Sequence, residues 1–342
     1  MQSYRAPWWL PGGNLQTIWA GRVAPLPALG PGFWQRERWA TPDGDFVDVD
    51  QHTGAPGAPL LVMFHGLEGS SSGHYAVAMA HAAQQRGWAF AVPHFRGCSG
   101  ELNRGPRAYH SGDFEEVGWI LARLRAQHSG ALYAVGISLG GNALLRWAEE
   151  AGNTAAHTAQ AVTAVSAPLD LAAAGQAIGR GFNRLAYTRM FLASMKPKAL
   201  AKWQQHPGLF DRERVRQART LFEFDDAFTA PVHGFKGTHD YWARASSKPH
   251  LHRIQIPALV VNAGNDPFVP GASLPGHHQV GKNVTLWQPP HGGHVGFPSG
   301  RFPGHLMTLP EQVLGWLDAQ RSTAQRSTQR STQRNTPQPR KR

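Results

Sequence analysis

The chain has 342 residues, of which 41% are hydrophobic and 16% charged, a composition that permits a large hydrophobic core. No apolar run approaches the roughly 18 residues of a membrane-spanning helix, and the N-terminus lacks the apolar region of a signal peptide. The only cysteine, Cys98, excludes an intrachain disulfide. Together these features lead us to predict a cytoplasmic protein.

The formal net charge of +12 is concentrated at the C-terminus, where residues 321–342 hold seven basic residues and no acidic one. This segment repeats an Arg-Ser-Thr-Gln unit and lacks the apolar residues that a core needs, so we predict a disordered basic tail. Binding of nucleic acid or an anionic membrane surface by the tail is the alternative to a solvated extension. The 18 histidines form no H-E-x-x-H motif, and we expect neither a metal nor an organic cofactor.

Residues 1–33 are rich in tryptophan, proline and glycine, and we expect an irregular segment packed on the body of the protein. Short apolar runs then alternate with amphipathic stretches. The predicted elements are a hairpin at 34–52, strands at 58–64, 88–95, 131–137 and 159–167, and helices at 73–86, 114–125 and 141–150. This alternation predicts an α/β fold with a mostly parallel, doubly wound sheet and helices on both faces.

The alternation stops after Pro168, and the next clear strand, at 258–263, begins about ninety residues later. We interpret residues 169–250 as an inserted helical cap over the active site. Extra core helices that never touch substrate are the alternative interpretation. The α/β core then comprises residues 34–168 and 251–320, completed by a strand at 284–287 and a helix near 309–319.

A candidate nucleophile, Ser138, follows the apolar strand at 131–137 in the pattern Gly136-x-Ser138-x-Gly140. A strand, a sharp glycine-flanked turn and a helix are the context of a nucleophile elbow, in which the serine oxygen is lifted above the sheet. The same five-residue pattern also surrounds Ser71, but there the preceding strand ends near Phe64. Ser71 is therefore expected in a loop, and context favours Ser138.

A serine nucleophile needs a histidine base and a carboxylate that orients the histidine. In this fold they follow in the order serine, aspartate, histidine. Asp266 directly follows a predicted strand, and His294 lies in a glycine-rich loop after the next strand, so both should reach the same sheet edge as Ser138. From the residues alone, His291 is an alternative base, and the alternative acids are Asp226 and Asp240.

Two backbone N–H groups are needed to stabilise the oxyanion of an acyl-transfer reaction. One is expected from Leu139, the residue after the nucleophile, and the other from Leu67, in the loop after the strand at 58–64. We interpret His65 in that loop as structural. Cys98 has no apparent partner in the sequence, and we interpret it as a packing residue.

Several motifs in one order along the chain, across about residues 6–318, resemble those of the AB hydrolase superfamily and, within it, the YheT-like branch of serine esterases. They are APWWLPGGNLQTIW, FHGLEGSSSGHYA, HFRGCSGELNR, GISLGGNALL and HGGHVGF. The resemblance implies an α/β-hydrolase fold with a cap and a carboxylic-ester hydrolase activity. It implies a triad of Ser138, Asp266 and His294, favours His294 over His291 and argues against Ser71. The basic tail has no counterpart in the family pattern.

We therefore predict a serine esterase that acts on a small-molecule ester or lipid through an acyl-enzyme intermediate. Thioesterase, amidase or acyltransferase activity on the same triad is a second hypothesis, because these reactions share the triad. A third, from another class, is a catalytically idle interaction protein that binds through its basic tail.

Overall fold

The computed structural model describes the backbone of residues 1–334 and the side chains of residues 1–321. Its centre is one sheet of eight strands in the order β1-β2-β4-β3-β5-β6-β7-β8. The strands are β1 Gln35–Ala40, β2 Phe46–His52, β3 Leu60–Phe64, β4 Ala89–Pro93, β5 Leu132–Ile137, β6 Ala161–Val165, β7 Ala258–Val261 and β8 Val284–Trp287. Strand β2 pairs antiparallel with β1 and β4, and all other pairs are parallel. The predicted α/β-hydrolase architecture is confirmed.

Helices cover both faces of this sheet. They are α1 Gly13–Arg22, α2 His74–Gln85, α3 Phe114–Gln127, α4 Leu139–Ala151, α5 Ala155–Thr158, α6 Leu171–Ile178, α7 Gly181–Asn183, α8 Arg189–Gln205, α9 Arg212–Gln217, α10 Leu221–Phe224, α11 Ala230–Val232, α12 Thr238–Ala245 and α13 Thr308–Arg334. Helices α3 and α4 pack on one face, and α2 and α13 on the other. Because successive side chains of a strand point to opposite faces, Ala134 packs with α3 and α4, and Val135 packs with α2 and α13. Among the described residues, no helix combines the length and apolarity that crossing a bilayer requires.

The strand register aligns the ends of the parallel strands at one edge. Phe64 of β3 lies opposite Gly136 of β5, and Val165 of β6 lies opposite Val261 of β7. All six residues of β5 are buried, which explains the apolar run that marks it in the sequence. The loops that follow these strands therefore meet at the carboxyl edge, where ligands bind in open α/β sheets.

Helices α6 to α12 all lie between β6 and β7, inside the segment 169–250. Two turns of π-helix, Arg184–Thr188 and Asp225–Thr229, interrupt them. Part of this segment has its own apolar cluster, which includes Leu192, Val215 and Phe224. We infer that the segment is a cap, because its helices face the carboxyl edge of the sheet across a cavity described below.

Two terminal segments differ from the sequence-based expectation. Helix α1 occupies part of residues 1–33, which we expected to be irregular; Trp19 and Ala20 bury its inner face against Ala78 and Leu306. At the other end, the backbone of α13 is helical up to Arg334, where disorder was expected from residue 321 on. The segment from 321 to 334 contains no proline or glycine, and its alanine, glutamine and arginine residues favour helix. The remainder of the predicted tail lies outside the described residues.

Candidate active site

Ser138 stands between the end of β5 and the first turn of α4. Its backbone has φ 52° and ψ −118°, a sparsely populated conformation for a residue with a side chain. A Cβ atom on Gly140 would lie 2.5 Å from the carbonyl oxygens of Phe64 and His65. A Cβ on Gly136 would lie 2.4 Å from the carbonyl oxygen of Gly140. Only glycine fits on either side of this turn, which is the physical reason for the sequence pattern.

His294 meets Ser138 across the carboxyl edge of the sheet. Its Nε2 atom lies 3.0 Å from the Ser138 hydroxyl oxygen. The turn before it uses Gly293 at φ 63° and Gly292 at φ 148°, conformations that favour glycine. The His294 side chain is 11% exposed, so it is largely shielded from water but faces the cavity.

Asp266 orients the other side of the His294 ring. Its Oδ2 and Oδ1 atoms lie 2.9 and 3.2 Å from His294 Nδ1. The backbone N–H groups of Phe268 and Val269 donate to Oδ1 at 2.8 and 3.2 Å and hold the carboxylate in place. A carboxylate that accepts from Nδ1–H leaves Nε2 as the acceptor for the serine proton. The structure thus brings together the three residues that the sequence singled out.

The alternative acids lie elsewhere. Asp240, in the first turn of α12, accepts from the backbone N–H of Lys236 and from the Arg244 side chain. Asp226 is bound by Arg214 and by the backbone N–H of Thr238. The alternative base, His291, is three residues from His294, and it is His294 that Ser138 contacts.

Ser71 belongs to a second cluster of serine, aspartate and histidine. Its hydroxyl donates to Asp50 Oδ2 at 2.5 Å, and Asp50 also binds His94 Nε2 at 2.8 Å and the Arg36 guanidinium. Burial opposes ionisation of Asp50, but hydrogen bonds from Arg36, His94 and Ser71 keep its pKa below the usual value. Here the carboxylate stands between hydroxyl and imidazole, so the base does not reach the serine.

His65 and Cys98 are largely shielded from the solvent and neither is placed to act as a base or a nucleophile, which agrees with their interpretation as structural residues. His65 is buried; Nε2 accepts from the Phe95 backbone N–H at 3.0 Å and Nδ1 lies 2.7 Å from the Gly66 carbonyl oxygen. Burial lowers the pKa of His65 to about 3, so the ring is neutral at ordinary pH. Burial likewise raises the pKa of the Cys98 thiol to about 12, which disfavours the reactive thiolate.

Leu67 and Leu139, the expected oxyanion donors, both border the cavity beside Ser138. The neighbouring N–H groups of Gly66 and Glu68 are used, because they donate to the hydroxyl oxygens of Tyr75 and Tyr109. Within the described residues, the N–H groups of Leu67 and Leu139 have no such acceptor in the protein. Two unpaired donors next to the serine are what a developing oxyanion requires.

Helix α1 supports this site in a way that the sequence did not reveal. Thr17 Oγ1 accepts from the His294 backbone N–H at 2.8 Å. Gln16 Oε1 accepts from the Gly292 N–H at 2.9 Å and from the Asn265 side-chain amide at 3.0 Å. These contacts join segments more than 240 residues apart in the chain, and no local pattern marks them.

A cavity of about 170 Å³ lies between the catalytic edge and the cap helices, and Ser138 and His294 reach it. Its wall is mostly apolar and includes Leu171, Ile178, Phe191, Met195, Phe228 and Trp242. Among its polar residues, Lys198 pairs with Glu68 at 2.8 Å, and burial raises the pKa of Asp225 to about 6. Among residues 1–321, no group of three or more histidine, cysteine, aspartate or glutamate side chains is arranged to hold a metal ion.

Comparisons with known proteins agree with this fold. A family model described as alpha/beta hydrolase fold matches residues 59–300. The Escherichia coli protein Putative esterase YheT is 40% identical over 291 residues, which cover 83% of this chain and 84% of that protein. Phospholipase ABHD3 of Mus musculus is 27% identical over 280 residues, which cover 79% of this chain and 68% of that protein. The solved structure of Est1E from Butyrivibrio proteoclasticus shares the fold, with a TM-score of 0.53 and 17% identity, covering 84% of this chain and 99% of that one.

Proposed function

Because this chain belongs to the AB hydrolase superfamily and is YheT-like, we propose that it cleaves carboxylic esters through Ser138, His294 and Asp266. Esterase- or lipase-like hydrolase activity follows from the family, and the bond cleaved and the residues that cleave it are our proposal. The observation that carries it is the continuous hydrogen-bonded line from the Ser138 hydroxyl through the His294 ring to the Asp266 carboxylate, with distances of 3.0 and 2.9 Å.

In the first half-reaction, His294 Nε2 takes the hydroxyl proton as the Ser138 oxygen attacks the ester carbonyl carbon. The carbonyl oxygen becomes an oxyanion, which accepts hydrogen bonds from the N–H groups of Leu67 and Leu139. The oxyanion then collapses and breaks the bond between the carbonyl carbon and the alcohol oxygen, which takes the proton from His294. The acyl group stays on Ser138. Asp266 stabilises the imidazolium throughout.

In the second half-reaction, a water molecule takes the place of the alcohol. His294 Nε2 accepts a proton from the water as its oxygen attacks the acyl carbon. Collapse of the oxyanion breaks the bond to Ser138, which recovers its proton from His294. The acid leaves and the enzyme returns to its starting state without any cofactor.

The substrate class we propose is an ester with an apolar acyl group, small or lipid-like. The reason is the wall of the cavity, where aliphatic and aromatic side chains of the cap face the nucleophile. Apolar walls with a few placed polar groups are typical of sites that bind apolar ligands. The names of two relatives, an esterase and a phospholipase, agree with this class.

The test is hydrolysis of a short p-nitrophenyl ester together with labelling by a fluorophosphonate probe. The parent protein should hydrolyse the ester and label, and Ser138→Ala should lose about a million-fold in kcat and all labelling. Ser71→Ala is the matched control, and it should label like the parent. Labelling of Ser138→Ala at the parent rate would contradict the assignment of the nucleophile, and an unlabelled parent would favour an idle site.

A further inference from the structure

The start of the helical run in the cap exposes large apolar side chains to solvent. Phe182, Leu185 and Met190 are 53%, 66% and 42% exposed. Arg22 at the end of α1 lies beside them, with its Nη2 atom 3.4 Å from the Met190 sulfur. Contiguous exposed apolar side chains of this size mark interaction surfaces more often than single ones do.

Basic residues alternate with these side chains along the sequence. Arg180, Arg184 and Arg189 are exposed within the same short stretch of chain. From residue 171 to residue 210 the chain has six lysine and arginine residues and no aspartate or glutamate. We call Phe182, Leu185 and Met190 with these three arginines the cap patch. Apolar side chains interleaved with arginine are typical of helices that lie in the interface of a membrane.

The cap patch is also connected to the catalytic centre through packed rings. The ring of Phe182 lies 6.1 Å from that of Tyr187, which lies 4.5 Å from the ring of Phe268. The Phe268 ring in turn lies 4.2 Å from the ring of His294. The apolar surface is therefore at the same end of the molecule as the nucleophile and its cavity.

We propose that the cap patch binds the surface of a bilayer that contains anionic phospholipid. The three apolar side chains enter the boundary between headgroups and acyl chains, and the arginines contact lipid phosphates. The charge of the patch selects this occupant over a neutral apolar one, because residues 171–210, which carry the patch, hold six basic and no acidic residues and so complement an anionic surface. This interaction goes beyond the proposed hydrolysis and does not require it.

The binding test is co-sedimentation of the full chain with phosphatidylcholine vesicles that do or do not contain phosphatidylglycerol. We expect binding to the anionic vesicles and a clear loss of binding in Phe182→Ser/Leu185→Ser. The matched control is Trp8→Ser/Phe302→Ser, which removes two side chains that are even more exposed, at 90% and 77%. The control variant should bind like the parent.

The charge of the patch is tested with Arg184→Gln/Arg189→Gln. Each arginine near an anionic surface contributes about 1 kcal/mol, so binding should weaken roughly fivefold per residue. Arg5→Gln/Arg301→Gln removes two exposed arginines elsewhere and should have little effect. All variants keep the basic C-terminal segment, so any binding due to that segment is common to all of them.

Three outcomes would overturn the proposal: no binding of the parent, unchanged binding of Phe182→Ser/Leu185→Ser, or an equal loss in that variant and its apolar control. Folding is checked by the thermal unfolding midpoint and by hydrolysis of a soluble short-chain ester, which should both match the parent. Of these two checks, only ester hydrolysis rests on the proposed function. A parent that binds vesicles but cleaves no ester would contradict the function and leave the surface assignment intact.

Discussion

Two clusters in this protein contain the same three residue types in different hydrogen-bonding orders. In the cluster of Ser138, the His294 ring stands between the hydroxyl and the carboxylate. In the cluster of Ser71, the Asp50 carboxylate stands between the hydroxyl and the His94 ring. The first order lets a base accept the serine proton. The second satisfies a buried carboxylate and gives the serine no base.

The comparison shows that the identity of neighbouring residues does not define a catalytic site. Both serines follow a glycine by two residues and precede one by two. What differs is the backbone: Ser138 is held at φ 52° at a strand tip, and Ser71 lies in a loop that turns its hydroxyl toward β2. The predictions below test whether the order of contacts decides function, from the largest expected effect to the smallest.

The largest expected effect in this series is that of Asp266→Asn. An amide can donate to His294 Nδ1, which favours the tautomer that carries its proton on Nε2 and cannot accept from Ser138. We expect kcat to fall on the order of ten-thousand-fold. Steady-state hydrolysis of a p-nitrophenyl ester measures this loss. Asp240→Asn, at the other candidate acid, is the matched control; a similar loss there would contradict the assignment of Asp266.

The corresponding change in the second cluster, Asp50→Asn, should affect stability. Asp50 accepts charge-assisted hydrogen bonds from Arg36 and a further bond from Ser71, and the neutral amide weakens them. We expect the free energy of unfolding to fall by about 2 kcal/mol. Urea unfolding measures it, and kcat at a temperature where the variant is folded should stay near that of the parent. A large drop in kcat without destabilisation would show that this cluster takes part in the reaction.

The sequence predicted the sheet, and the sheet edge at which the candidate site lies, because both depend on short-range patterns. The six strands of the parallel core are apolar runs, and each one predicted from the sequence is present with its ends shifted by at most two residues. The elbow at Ser138 is a steric pattern of glycines, which a sequence displays directly. Strand order predicts that Asp266 and His294 lie at the same sheet edge as Ser138, and the family resemblance favoured His294 over His291.

The features that the sequence did not predict depend on contacts between distant segments. Residues 1–33 were expected to be irregular because they are rich in tryptophan, proline and glycine. Helix α1 forms within them, and its buried residues pack against distant parts of the chain. The role of Thr17 depends on a partner that is 277 residues away. The lining of the cavity depends on how the cap helices dock, which no local pattern determines.

Thr17→Val tests whether this distant contact matters to the reaction. Valine has nearly the same shape but no acceptor for the His294 backbone N–H, so the loop that carries the base should shift. Small displacements of a catalytic group cost rate, and we expect kcat to fall about tenfold with little change in KM. Fluorophosphonate labelling should slow by the same factor.

Thr17→Ser keeps the hydroxyl and should restore both rates. If Thr17→Val lowered the thermal unfolding midpoint but left kcat and the labelling rate at parental values, the contact would be only structural. An unlabelled parent would instead contradict the proposed nucleophile, so the two failures are distinguishable.

The smallest effect concerns a third carboxylate, Asp225, whose partners are both neutral: the Thr229 hydroxyl and the Trp242 N–H. Burial raises its pKa from 3.8 to about 6, so the folded state prefers the protonated acid. The stability that Asp225 contributes is therefore greatest below pH 4 and is lost as the pH rises through about 6. The free energy of unfolding of the parent, relative to that of Asp225→Asn, should fall between about pH 4 and pH 6 and change little above pH 7.

Its neighbour Asp226 provides a control of opposite sign. The Thr238 backbone N–H and Arg214 lower the pKa of Asp226, so its contribution is present at neutral pH and is lost as the pH falls below about 4. Urea unfolding of the parent and both asparagine variants from pH 3.5 to 8 measures the two differences. If the curve for Asp225→Asn ran parallel to that of the parent, Asp225 would be ionised in the folded cap.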